Sequence, residues 1–542
     1  MDVFSVAGQL VDITNRLVYP AELEVAKGQI KSIKKVKHAP EQFILPGFID
    51  AHVHIESSML VPSEFARIAV VHGTVATVSD PHEIANVCGK EGVEYMIENG
   101  DKVNFKFYFG APSCVPATPF ETAGGEISAM DLEELLSRKD VTYLAEMMNW
   151  PGTLNQDPDV MEKIGIAKKH GKPIDGHAPG LKGDMAKNYI GAGISTDHEC
   201  FTLDEALDKL KYGMKISIRE GSAAKNFDAL IDLIDDYPDR IMFCSDDKHP
   251  DSLALGHINQ LVARAIKKGK DLFDTLQAAC INPIQHYNMD IGQLTEGASA
   301  DFILVKDLKQ FEVMATYING QKVAEKGKSL IDSVDTNVIN NFATTIKKPS
   351  DFKIKAKSNS VRTIVALDGQ LITPEAKGRI IIKNGFAEAN AAEDILKITV
   401  VNRYQDQPPS VAFIKNFGLK EGAIASSVGH DSHNIIAVGL DDESLAKAVN
   451  LLSNAKGGIA AVTKKESQLL PLPIGGIMSA DDGYKVAEAY TAIDRMAKQM
   501  GSKLDAPFMT LSFMALLVIP ELKLSDKGLF NGQKFAFTTP FI

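Results

Sequence analysis

Short apolar runs alternate with amphipathic segments along the middle of the chain. From Phe43 to about Cys280, β-branched or apolar runs are separated by stretches whose apolar residues recur at helical spacing, such as PSEFARIAVVHG and TLDEALDKLKYG. The strand candidates are, in order, FILPGFIDAHVHI, TVATVSDPHE, VNFKFYFG, TYLAEMMNW, PIDGHAP, ISTDHE, MKISIREG and RIMFCSDD. Strands with helical spacers over about 240 residues match the size of a (β/α)₈ barrel. The pattern therefore predicts an α/β fold with such a barrel over residues 43–288.

The regions on either side of this segment have a different rhythm. Residues 1–42 and 289–340 both contain short β-branched runs broken by Gly and Asn, which predicts one small β-domain built from both flanks of the barrel. Residues 341–360 turn polar and Lys-rich, as is typical of a linker. Residues 361–542 mix strand patterns with helical ones such as ESLAKAVNLLSNA, and they predict a C-terminal α/β domain.

Composition narrows the possible partners. Lys and Arg number 58 and Asp and Glu number 70, a formal net charge of −12 that argues against nucleic acid as a partner. The most apolar stretch, Phe513 to Pro520, is far too short to cross a bilayer, so no membrane contact is expected. The N-terminus shows no basic segment followed by an apolar one, so no signal peptide is predicted. The five cysteines are widely spaced and none forms a CxxC pair, which indicates reduced thiols and a cytoplasmic location.

Potential metal ligands follow the predicted strands. Ten of the 13 histidines lie between His52 and His286. In an extended strand residues i and i+2 point the same way, so His52 and His54 face one site. The residues at later strand ends are Glu146, His177, His198 and Asp246. Because a barrel builds its site at the C-terminal ends of its strands, these six residues are enough for two divalent ions with a bridging carboxylate, which can activate one water as hydroxide.

Three further clusters have more than one interpretation. Asp80-Pro81-His82-Glu83 and Arg219-Glu220-Gly221-Ser222 follow the second and seventh strands, where they either grip substrate or stabilise a helix start or loop. Gly429-His430-Asp431-Ser432-His433-Asn434 either closes over the barrel mouth, holds an ion of its own or is a packed turn. The sequence does not choose between these interpretations.

The motifs resemble those of a known superfamily. PGFIDAHVH, the single histidines after the fifth and sixth strands, the Asp after the eighth and GASADF are similar to the amidohydrolase superfamily. More narrowly, HVHIESSML, SDPHEIANV, EMMNWPG, DGHAPGL, STDHE, CSDDKHP and GHDSHN resemble the bacterial adenine deaminase family over nearly the whole chain. The resemblance implies hydrolytic deamination of adenine to hypoxanthine and ammonia, as in purine salvage. It also implies a dinuclear Mn²⁺ or Fe²⁺ centre, and a homo-oligomer is expected.

The resemblance also implies roles for individual residues. His52 and His54 would hold one ion together with Asp246, His177 and His198 would hold the other, and Glu146 would bridge. Asp246 would also accept the proton of the hydroxide and return one to the leaving ammonia. The expected substrate-binding residues are Arg219, Glu220 and Ser222.

At two positions this sequence differs from other members of the superfamily, and these differences limit which residue roles can be inferred from them. The fourth strand offers Glu146 and no lysine, which argues against a dihydroorotase or hydantoinase. His177 is followed by Ala178, Pro179 and Gly180, without the acid that other deaminases use to protonate a ring nitrogen. The candidates for that proton donor are Asp246, Glu83, His82 and Glu220.

Two other functions compete with adenine deamination. One is a different amidohydrolase that acts on a cyclic amide or N-acyl substrate with the same metals. The other is a non-catalytic assembly module, which is disfavoured because such a protein has no need of six potential metal ligands.

Overall fold

The first sheet joins the two flanks of the region of alternating strands and helices. The computed structural model describes residues 3–222 and 224–542. An eight-stranded sheet takes strands from both flanks, in the spatial order Lys328–Ser329, Gln321–Glu325, Val313–Ile318, Phe302–Val305, Phe43–Pro46, Phe4–Asp12, Leu17–Ala26 and Gln29–Lys35. Its own small core contains Leu23, Ile44 and Phe302, because alternate side chains of each strand face inward.

The chain leaves this sheet at Gly47. The segment predicted as one strand is two strands in two sheets, Phe43–Pro46 in the flanking sheet and Phe48–Val53 in the next. A Cβ at Gly47 would lie 2.3 Å from Cγ1 of Val75, so only glycine fits this crossing. The single-strand prediction was wrong because apolar periodicity does not register a change of sheet.

Each of the other predicted strand segments contains a parallel strand. One sheet has five strands, in the order Phe48–Val53, Thr74–Ser79, Lys106–Ala111, Val141–Met147 and Ile174–Gly176. A second sheet has three, in the order Thr196–Asp197, Lys215–Arg219 and Ile241–Cys244. Backbone hydrogen bonds join the two sheets at both borders. Ser195 N donates to Ile174 O at 2.9 Å, and Asp246 N donates to His52 O at 2.9 Å.

Helices follow these strands. In chain order the α-helices of this region are Pro62–Ala69, His82–Gly100, Ala129–Ser137, Trp150–Leu154, Pro158–Lys169, Gly183–Gly191, Leu203–Lys211, Phe227–Leu230, Pro250–Leu255, Ile258–Lys267, Leu272–Leu276 and Asn282–Tyr287. Side-chain capping fixes where several of these helices begin. Ser128 and Asp131 form a capping box, and the Asp157 carboxylate accepts from the Asp159 and Val160 amides.

The C-terminal unit has its own eight-stranded sheet. Its order is Glu375–Arg379, Ser360–Val365, Ser410–Lys415, Ile395–Val401, Ile435–Gly439, Ala423–Ser426, Gly458–Val462 and Ser467–Pro471. The smaller sheets pair Ile381–Lys383 with Phe386–Glu388, and Leu522–Ser525 with Gly528–Asn531 and Ala536–Phe537. The helices of this unit are Asp442–Ala455, Gly483–Gln499 and Pro507–Ser512.

The polar segment before this unit runs along its surface. The Ala343 and Thr344 amides both donate to Arg403 O, at 2.7 and 3.0 Å. Phe352 is buried in the same cluster as Val449. The segment predicted as a linker therefore contacts the C-terminal unit.

Two features of the described residues bear on compartment and partners. Across residues 3–222 and 224–542, no helix has both the length and the apolar character needed to cross a bilayer. All five cysteines have free thiols.

Candidate metal centre

His52 and His54 face each other at the end of the first parallel strand. Both side chains are buried, and their Nε2 atoms lie 3.2 Å apart. Their i, i+2 spacing in an extended backbone directs both imidazoles to the same side of the sheet. The HxH motif therefore places two ring nitrogens side by side, as the sequence predicts.

Glu146 lies between two pairs of histidines. Its Oε2 is 2.9 Å from Nδ1 of His177 and 3.2 Å from Nε2 of His198, and its Oε1 is 3.7 Å from Nε2 of His54. One carboxylate oxygen thus faces the fifth and sixth strands and the other faces the first. A carboxylate that bridges two ions needs this arrangement.

Asp246 follows the last parallel strand and lies between a histidine and an arginine. Its Oδ1 lies 3.4 Å from Nε2 of His54, and its Oδ2 lies 2.5 Å from Nη1 of Arg219. Burial acts to raise the pKa of Asp246, but Arg219 and the neighbouring histidines outweigh it and hold the pKa well below its usual range. Asp246 is therefore ionised at neutral pH.

The donor set fits divalent ions better than it fits hydrogen bonding alone. Four imidazoles and two carboxylates converge in the buried interior, where His52 and His198 stack with ring centroids 4.0 Å apart. Among the described residues, Nδ1 of His52 is buried without a hydrogen-bond partner. The ligand atoms of His52, His54 and Asp246 lie within 4.8 Å of one another, as do those of His52, Glu146 and His198. Imidazole nitrogen and carboxylate oxygen are ligands that Mn²⁺ and Fe²⁺ accept.

Arg219 lines the same cavity, but it is engaged with acids. It forms a two-pronged ion pair with Glu199, in which Nη2 donates to Oε2 at 2.8 Å, and it also pairs with Asp246. Glu199 Oε1 is 3.6 Å from Nδ1 of His177. Glu199 therefore belongs to the cluster, although the sequence analysis gave it no role. Its position in the sequence, directly after the potential ligand His198, could have indicated that it lies near the cluster.

His82 and Glu83 begin the helix His82–Gly100 and line the cavity. His82 Nδ1 lies 3.1 Å from Oδ2 of Asp80. The Glu83 carboxylate is shared by two histidines of the C-terminal unit, with Oε2 2.5 Å from Nε2 of His433 and Oε1 against Nδ1 of His430. Burial acts to raise the pKa of Glu83, but these histidines outweigh it and keep the pKa well below its usual range.

The segment Gly429–Asn434 is built into the site. Besides the two contacts with Glu83, Tyr404 Oη donates to Ser432 O at 2.6 Å and fixes the segment from its own unit. Asp431 is buried and lines the cavity together with Phe513. Burial raises the pKa of Asp431 to about 6. Of the interpretations considered for this segment, closure over the site agrees with its position.

Glu220 and Ser222 lie away from the cluster. The Glu220 carboxylate is 2.6 Å from Nη1 of Arg264, and the Ser222 hydroxyl accepts from the His249 amide at 2.9 Å. Neither is among the described residues that line the cavity. Their contacts match the loop-stabilising interpretation, because the seventh strand ends at Arg219 and both residues lie in the loop after it.

Comparison with known proteins places this cluster in a family. The chain is 54% identical over 541 residues to adenine deaminase of Salinibacter ruber, covering 99% of both chains. It is 57% identical over 528 residues to adenine deaminase of a Sulfurovum species, covering 97% of this chain and 98% of that one. The chain belongs to the adenine deaminase family. A third family member, from Methanosarcina acetivorans, is 50% identical over 545 residues and covers 98% of this chain and 99% of its own.

Two family models match two different parts of the chain. The model of the amidohydrolase family matches residues 43–323, and that of the adenine deaminase C-terminal domain matches residues 370–536. The parallel sheets and the cluster thus lie in the amidohydrolase part. The segment that reaches Glu83 lies in the part found in adenine deaminases. The fold class is that of an α/β amidohydrolase, as the sequence predicted.

Proposed function

We propose that this chain hydrolyses adenine to hypoxanthine and ammonia, a step of purine salvage. The observation that carries the proposal is one buried cluster of six potential metal ligands at the ends of five of the eight parallel strands, in a member of the adenine deaminase family. His52, His54 and Asp246 would hold one ion, His177 and His198 the other, and Glu146 would bridge. Mn²⁺ and Fe²⁺ are the proposed ions.

The rest of the molecule is part of the same proposal. The eight parallel strands, the first of which begins at Phe48, would close into one (β/α)₈ barrel within the span 43–288 expected from the sequence. The hydrogen bonds at both sheet borders support this closure. Residues 1–42 and 289–340 would form the small β-domain, 341–360 the linker and 361–542 the C-terminal domain. We further propose a cytoplasmic homo-oligomer.

The chain's own side chains would handle the protons. Two bound divalent ions would supply a water of lowered pKa for attack on C6 of the base. Asp246 is ionised and directed by Arg219, so it can accept a proton near the histidine pair and return one to the departing ammonia. His82 lies 3.5 Å from Oε1 of Glu146 and is a second group able to move a proton. Glu83 is held by two histidines and is better suited to positioning the C-terminal unit.

Ammonia release from a panel of compounds tests the function. The purified protein, loaded with Mn²⁺ or Fe²⁺, should release ammonia from adenine, with adenosine a poor substrate. A cyclic amide or N-acyl compound hydrolysed in place of adenine would instead identify another amidohydrolase activity. Elemental analysis that finds no bound metal would favour a non-catalytic assembly module.

A further inference from the structure

The cavity beside the metal cluster has two unlike walls. The amidohydrolase part contributes the cluster, its partners and Met148 to the lining, which we call the first wall. The C-terminal unit contributes the second wall, which contains Leu371, His430, Asp431, Phe513, Leu516 and Ile519. An apolar wall suits the face of an aromatic ring, whereas the ring's edge nitrogens need polar partners. The second wall therefore has the composition of a binding site for a planar heteroaromatic base.

This apolar wall is held rigidly. The Phe513 ring stacks on His430 with centroids 4.5 Å apart and an interplanar angle of 17°. The buried Lys523 ammonium donates to Leu371 O at 2.7 Å and to Phe513 O at 2.9 Å, so one side chain fixes two wall segments. A preorganised wall limits the conformational entropy lost when a ring binds.

Most cavity carboxylates already have strong partners. Glu146 contacts His177, Glu83 is shared by His430 and His433, and Arg219 holds both Glu199 and Asp246. These groups are therefore committed to the cluster or to the contact between the units.

Asp431 differs from those acids. Its Oδ2 is buried and has no hydrogen-bond partner among the described residues, and its Oδ1 is 3.9 Å from Nε2 of His82, beyond hydrogen-bond distance. A buried polar atom without a partner is costly, and such atoms in native sites point to a missing ligand.

We propose that the protonated carboxyl of Asp431, in the C-terminal unit, donates a hydrogen bond to a ring nitrogen of the base while Phe513, Leu516 and Ile519 contact the face of the ring. This inference rests on the proposed function. The C-terminal unit would then determine which base is bound. Asp431 would also supply the acidic contact to a ring nitrogen that the loop after His177 lacks.

Deaza analogues of adenine test the contact directly. Inhibition constants of 1-deaza-, 3-deaza- and 7-deazaadenine are measured by competition with adenine on wild type, Asp431→Ala and the control Glu121→Ala. Glu121 is a buried acid near the same segment but is not among the described residues lining the cavity. In wild type, the analogue lacking the contacted nitrogen should bind about 10-fold or more weakly than the other two.

The variants decide the assignment. In Asp431→Ala that difference between analogues should disappear with metal content unchanged, and in Glu121→Ala it should persist. If Asp431→Ala loses its metals, the comparison is made with Asp431→Ser, and metal loss in both variants would show that Asp431 acts through the cluster and overturn the proposal. An unchanged analogue pattern would also overturn it. So would disappearance of the pattern only in a variant of Asp247, another acid that lines the cavity. Failure of wild type to deaminate adenine would contradict the proposed function itself.

Discussion

The strand-end cluster and the segment Gly429–Asn434 both present buried histidines and acids to one cavity, but they reach it by different routes. The cluster is assembled by parallel strands, each of which ends at the same edge of its sheet. The segment lies in the loop between strands Ala423–Ser426 and Ile435–Gly439 of a separate sheet. Its histidines contact Glu83, which lies 347 and 350 residues away in the chain. The parallel strand arrangement thus brings the cluster residues together, whereas the packing of the C-terminal unit against the parallel sheets brings Gly429–Asn434 to Glu83.

The difference predicts how each group should respond to substitution. The cluster residues would bind the same ions, so removal of one residue should affect metal content as well as rate. Substitutions at the interface between the units should change the kinetics with the substrate and lower the stability of the protein, with metal content unchanged. The following variants test this division, from the largest expected effect to the smallest.

Glu146→Ala should remove the carboxylate between the two histidine pairs. We expect metal content to fall sharply and kcat/KM to fall about 1000-fold or more, because bound ions supply several kcal/mol of transition-state stabilisation. Elemental analysis and ammonia release, with circular dichroism for the fold, measure this. His52→Ala should behave similarly, and the exposed Glu162→Ala should not. Full metal stoichiometry in Glu146→Ala would rule out its bridging role.

Asp246→Asn should affect rate more than metal content. The amide keeps the shape and can ligate weakly, but it cannot accept a proton, so we expect kcat to fall about 100- to 1000-fold. A spectrophotometric adenine assay and metal analysis on the same samples check this. Near-normal turnover would move the proton-transfer role to His82 or Glu83.

Glu83→Gln should weaken the contact between the units without emptying the cluster. The amide cannot accept from both histidines, so kcat/KM should fall about 10- to 100-fold and Tm should drop, with metal content retained. Glu91→Gln, at an exposed position beyond the kink at Gly89 in the segment His82–Gly100, is the control. Loss of one metal equivalent would instead show that Glu83, His430 and His433 hold an ion.

Glu220→Gln should have the smallest effect. Its ion pair with Arg264 is partly solvent-exposed, and such pairs contribute little, so kcat/KM should stay within about twofold of wild type. Arg219→Lys, one residue earlier, should lower kcat/KM about 10-fold or more, because lysine cannot form the two-pronged pair with Glu199. An equal loss of kcat/KM in both variants would instead indicate that Glu220 binds the substrate.

The position of the six predicted ligands could be read from the sequence because strand periodicity and parallel topology are local rules. Residues i and i+2 of a strand share a face, and successive parallel strands end at one edge, so His52, His54 and Glu146 could be placed before any contact was known. The same rules do not show when a chain changes sheets. That is why the break at Gly47, which depends on contact with Val75, was not predicted.

The sequence by itself determined the kind of chemistry: it set a buried, strand-end array of imidazoles and carboxylates in an α/β chain. Only the tertiary structure decided which charged groups share a partner. It turned Glu220 outward to Arg264, added Glu199 through Arg219, and brought His430 and His433 onto Glu83. Such choices depend on the packing of one unit against another, and electrostatic partners in a buried interior are set by distances that no sequence spacing encodes.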